Sequence, residues 1–152
     1  MGEVERIEKQ LARTYSGDPW HGPSLRSVLE DVDVAAANAR PIEGAHSIAE
    51  LAAHILTWRE EALRRLEGNG DDVPVAGNWP EPLEWSALLE RLDRSHDALT
   101  KAVGALDDGV LDEKVKGRRE SYYVLLQGII HHDLYHAGQI AILKKGLSGQ
   151  GS

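Results

Sequence analysis

The chain has no cysteine. That excludes disulfides, thiolate zinc sites, iron–sulfur clusters and a cysteine nucleophile together, so any metal must be held by nitrogen and oxygen ligands. No apolar run approaches the roughly 20 residues that span a bilayer. The charged start MGEVERIEKQ is not followed by the apolar core of a secretory signal, so no membrane partner and a cytoplasmic location are expected. A basic excess is missing too. Seventeen Lys and Arg stand against 25 Asp and Glu, a net charge of -8, and no basic run offers counter-charge to a phosphate backbone, which removes nucleic acid from the expected partners. Phenylalanine is absent beside four Trp and four Tyr. Convincing β-alternation bounded by turns is missing along the whole chain, as are internal repeats.

What is present is helical periodicity. With 152 residues, 41% apolar and 28% charged, the chain suits one folded domain with one core. Residues 1–147 are expected to form it and 148–152 a frayed tail. Val4, Ile7, Leu11 and Tyr15 recur on one helical face, and Gly17, Asp18 and Pro19 then interrupt it. After the joint WHGPS at 20–24, Leu25, Val28, Leu29 and Val32 continue an amphipathic pattern. The second long helix starts at Ser47, whose capping partner is Glu50 three residues on. Its apolar stripe is Ile48, Leu51, Ala52, Ile55, Ala62 and Leu66.

The connection from Leu66 to Glu84 is rich in Gly, Asn, Asp and Pro. Extended, it is long enough to cross the length of a bundle, so the second and third helices need not be antiparallel neighbours. The third helix carries Trp85, Leu88, Leu89, Leu92, Leu99 and Val103 and ends before the Asp-Asp-Gly at 107–109. The fourth is expected from near Ser121 to Lys145, closed by Gly146. The expected fold class is therefore all-α, a four-helix bundle.

Helix four places chemistry in its core stripe. Leu125, Ile129, His132, His136, Ile140 and Leu143 recur every three or four residues. At about 100° per residue, His132 and His136 lie one turn apart with rings pointing the same way, while His131 points off that face. Each ring has a donor and an acceptor that need partners once water is removed. A divalent metal provides one partner to both, and burial favours the neutral imidazole it requires. The alternative is a pair of core histidines satisfied by hydrogen bonds. His54 sits between Leu51 and Trp58 at the border of the second helix's stripe, where a third imidazole could complete a facial set. His96, between Leu92 and Leu99, reads first as a core histidine, and His46 as a surface residue.

HSIAELAAHILTW at 46–58 together with HHDLYHAGQI at 131–140 resembles the DinB-like (YfiT-like) metalloenzyme family. WHGPSL at 20–25, PIEGAHSI at 41–48 and the long loop before the third helix follow in the family's order. The resemblance implies an up-down-down-up bundle, a nickel or zinc ion on His54, His132 and His136, and a homodimer. It also implies a small-molecule substrate, with hydrolysis or transfer dependent on a low-molecular-weight thiol as the reaction classes. Such a thiol must come from outside a chain without cysteine. Trp20, His21, Tyr135 and Gln139 are candidates for lining the pocket, with core packing as the alternative for each, and no catalytic residue is singled out. One rival is a closed metal site serving stability or sensing, which an open coordination position would separate from an enzyme; another is a metal-free bundle acting as an interaction module.

Overall fold

A computed structural model describes residues 1–150, and the elements among them are all helices joined by loops. The helices are α1 (Glu3–Ser16), α2 (Leu25–Leu29), α3 (Val34–Asn38), α4 (Ile48–Leu66), α5 (Trp85–Gly104) and α6 (Tyr122–Gln150), with a 3-10 turn at Asp108–Val110. Four of them are long. None is long and apolar enough to cross a membrane.

Caps set where these helices begin. The Ser47 side chain accepts from the Glu50 amide, and the Glu50 carboxylate accepts from the Ser47 amide, the reciprocal box expected from the sequence. Asp33 caps α3 in one direction, its side chain accepting from the Ala36 amide, at the start of a helix that periodicity does not reveal because it is only five residues long. The first amides of α1 are taken by a distant residue: Asp108 accepts from Glu3 and Val4, which ties the start of the chain to the loop beyond α5.

The long helices pack in a ring in which α5 and α6 each contact both α1 and α4. Leu88 and Leu92 share an apolar cluster with Leu51, Ile55 and Leu56. Leu99 and Val103 share a second one with Ala62, Val4 and Ile7. The Trp85 indole N–H donates to the Val32 carbonyl at 2.8 Å, pinning the first turn of α5 under the segment after α2. The loop after α4 runs back along that helix. The Asp71 amide donates to Glu61 Oε1 at 2.5 Å, and seven residues later the Asn78 side chain accepts from the Trp58 indole at 2.8 Å.

Helix α6 is longer than the sequence predicts. Gly146 does not close it, because its backbone stays helical; a Cβ there would stand 3.3 Å from Pro41, so the glycine admits a close neighbour instead. Ser148 and Gly149 are thus helical, not a frayed tail, and residues 151–152 of the predicted tail lie outside the described residues. Gly138 is different: a Cβ there would meet nothing within 4 Å. Gly138→Ala is expected to stabilise the protein by about 0.5–1 kcal/mol, from the helix-propensity difference, raising Tm by about 2–3 °C for a chain this size. A fall in Tm in a thermal scan would mean that another molecule packs closely there.

Candidate metal centre

Three imidazoles converge where α4 faces α6. One potential ligand nitrogen from each of His54, His132 and His136 lies within 4.8 Å of the others, and the Nε2 atoms of His54 and His132 are 3.0 Å apart. His54 and His136 are buried, each 6% exposed, and His132 is half-buried. His131 is exposed, as its position on the helix requires.

The outer nitrogens fix which atoms face inward. His54 Nδ1 is 2.6 Å from the Asn78 carbonyl, an acceptor, so it carries the proton and leaves Nε2 with a lone pair. Gln139 Oε1 stands 2.6 Å from His136 Nδ1 and does the same for that ring. His132 Nδ1 is buried without a hydrogen-bond partner, so protein hydrogen bonds do not orient this ring from outside. One proton between Nε2 atoms can satisfy one contact; a cation satisfies three converging lone pairs. Metal–nitrogen bonds of about 2.1 Å put adjacent ligand nitrogens roughly 3.0–3.4 Å apart, a separation the His54–His132 pair already has. The residues therefore fit a divalent ion.

Electrostatics favour the same state. Burial lowers all three pKa values, with neighbouring imidazoles adding to the effect, and His132 falls to about 3. Neutral rings are the form that can ligate.

The loop after α4 supplies a wall that sequence reasoning missed. The Trp79 ring stacks on His54 at 3.9 Å and on His46 at 3.7 Å, so it lies between them. Gly77 O accepts from the Thr57 hydroxyl at 3.3 Å, and with the two Asn78 contacts this holds residues 77–79 against α4. Two cavities flank the cluster. One, of about 470 Å³, is lined by His136, Trp79, Tyr135 and Gln139 among others; the second, of about 360 Å³, is lined by His132, Trp58, Arg65 and Gly128 among others. Tyr135 and Gln139 thus line a cavity. Trp20 and His21 do not: the joint buries Pro19 and turns Trp20 fully outward, 100% exposed, with His21 exposed beside it.

Family membership follows from most of the chain. A family model, the DinB superfamily, matches residues 20–140. The chain belongs to the DinB superfamily. No curated protein and no solved structure matches it. The matched span of this DinB protein contains all three converging histidines and both residues that hold their outer nitrogens.

Beneath the cluster lies a buried polar core. Arg59, 1% exposed, pairs with Asp133, 3% exposed, and also donates to Ser95 Oγ at 3.3 Å. It reaches His96 Nδ1 at 3.1 Å and sits over the Tyr15 ring at 4.9 Å. Tyr15 stacks on His96 and donates its hydroxyl to Asp93 at 2.6 Å. His96 is therefore committed to this group, in keeping with its reading as a core histidine, and is not a member of the metal cluster.

Burial, and then the Arg59 charge, lower the His96 pKa from 6.5 to about 4. The unfolded chain thus binds a proton there that the folded one refuses between those values, so this contribution is complete above pH 6.5 and lost as pH falls toward 4. In chelator-treated protein, Tm is expected to drop across that window, and His96→Gln to flatten the drop. A profile as steep in the variant would assign the acid sensitivity elsewhere.

Proposed function

We propose that this DinB protein is a metal-dependent enzyme acting on a small molecule, with nickel or zinc held by His54, His132 and His136. The observation that carries the reading is access: cavities reach the cluster from the His136 side and from the His132 side. A closed structural site uses four protein ligands, whereas a catalytic one keeps a position free, and His96, the candidate fourth histidine, is turned to Tyr15 and Arg59. When bound, the cation supplies Lewis acidity, which makes a nucleophile of water or of a thiol near neutral pH. Hydrolysis and transfer dependent on a low-molecular-weight thiol are the two reaction classes. The protein's own contribution is to fix ring orientation through Asn78 and Gln139 and to shield the site with Trp79.

An up-down-down-up helix order belongs to the same reading. Its support is that successive α5 residues meet successive parts of α4: Arg91 pairs with Glu60, and Leu99 shares a cluster with Ala62. A homodimer is proposed on the resemblance, and sedimentation velocity tests it.

Elemental analysis of protein purified without a histidine tag or chelator tests the metal. About one divalent ion per chain is expected, and none in His54→Ala. Failure to take up zinc or nickel on refilling would remove the enzyme reading and leave a helical interaction module.

A further inference from the structure

The two cavities at the histidine cluster differ in chemistry, and the difference bears on what reaches it. The cavity on the His132 side includes Arg65 and Glu120 in its wall. The larger one, on the His136 side, has no Asp, Glu, Lys or Arg among its lining residues. Its walls include Ile42, Leu51, Ile142 and Leu143, and the Trp79 indole forms one side. That indole is held between His54 and His46, so both of its faces are taken and what it offers the cavity, right beside the cluster, is its edge.

From this we infer that the cavity of about 470 Å³ beside His136 binds an uncharged, largely apolar substrate moiety, aromatic in the best case, and delivers its reacting end to the histidine cluster. The inference deepens the proposed enzyme reading and rests on it for the cluster's role. Along the walls an anion would lose its water shell without a Lys or Arg side chain to replace it, the only cation of the reading standing at the inner end on His136, and a cation would find no carboxylate. An apolar group gains burial, and an aromatic one can also meet the indole edge of Trp79 in an edge-to-face contact. Besides the ligand His136, the polar side chains that line the space, His46, Trp79, Tyr135 and Gln139, carry hydrogen-bonding groups and no carboxylate, ammonium or guanidinium. They suit orientation of a hydroxyl, carbonyl or ester and not neutralisation of charge.

Naphthalene-2-methanol and naphthalene-2-sulfonate make a matched pair of probes, the second with a poorly coordinating anion. Calorimetric titration of metal-loaded protein is expected to show the alcohol binding at least tenfold more tightly than the sulfonate. Ile42→Arg, at an exposed loop position on the wall, should weaken the alcohol at least tenfold and improve the sulfonate. Val124→Arg, at the other cavity, should change neither. Equal affinity for the two probes, no saturable binding, or a loss in Val124→Arg instead of Ile42→Arg overturns the inference. Elemental analysis of the same samples reads the metal separately. Protein that prefers the alcohol but takes up no metal keeps the apolar cavity and loses the metal centre, while metal-loaded protein without the preference does the reverse.

Discussion

His132→Ala and His136→Ala are each expected to abolish stoichiometric divalent metal binding, with His131→Ala unchanged from the parent. The three residues lie within one stretch of α6, so a general loss of helix or surface charge would affect them alike. Only the direction of the ring differs: His132 and His136 point toward His54, and His131 points to solvent. A graded outcome is expected from Gln139→Ala. It leaves all three ligands but frees the His136 ring from its 2.6 Å partner, and loss of such an outer partner costs about 10–100-fold in metal affinity. Competition with a chromophoric chelator measures all four variants. Equal losses in His131→Ala and His132→Ala would end the argument from the helix face. A Gln139→Ala protein as empty as His136→Ala would mean that the glutamine is itself needed to form the site.

The helix register made that prediction possible from sequence. His132 and His136 are forced onto one face by a four-residue step, whatever the tertiary structure does. His54 had only a border position on its stripe, and what promoted it was the resemblance of its surrounding segment. Asn78 and Trp79 had no such signal. They sit in an irregular loop, and pairing between residues about 25 apart across a loop leaves no periodic trace. The same holds for α3, too short for two turns of pattern. Helix α6 was cut short at Gly146 because a glycine after lysines reads as a helix end, whereas its role is to admit Pro41.

Arg59 and Asp133 were legible but unread. Arg59 stands four residues after Ile55 and three before Ala62, and Asp133 three after Ile130 and four before Ala137. A charge at a core position on each of two facing helices announces a buried pair, because neither can be desolvated alone at tolerable cost. Asp133 lies next to His132, and Arg59 is five residues from His54, so the pair sets α4 and α6 against each other directly below the cluster.

Asp133→Ala is therefore expected to be among the most destabilising single changes in the chain. It leaves the Arg59 guanidinium 1% exposed with Ser95 and His96 as its remaining polar partners, and uncompensated buried charge costs about 3–5 kcal/mol. In thermal or urea unfolding this should appear as a Tm lower by roughly 10 °C or more, or as failure to accumulate folded protein. The double variant Arg59→Met, Asp133→Leu removes both charges and should recover much of that loss, since a well-packed apolar replacement of a buried pair is often neutral or better. The metal affinity of the double variant then separates two roles. If the pair serves stability alone, the refolded bundle binds metal like the parent. If it holds the register that brings His132 to His54, the double variant is stable yet binds metal more weakly. The placement favours the second outcome: Asp133 follows His132 directly and Arg59 stands five residues after His54, so losing the fixed geometry of the pair acts on both ligands.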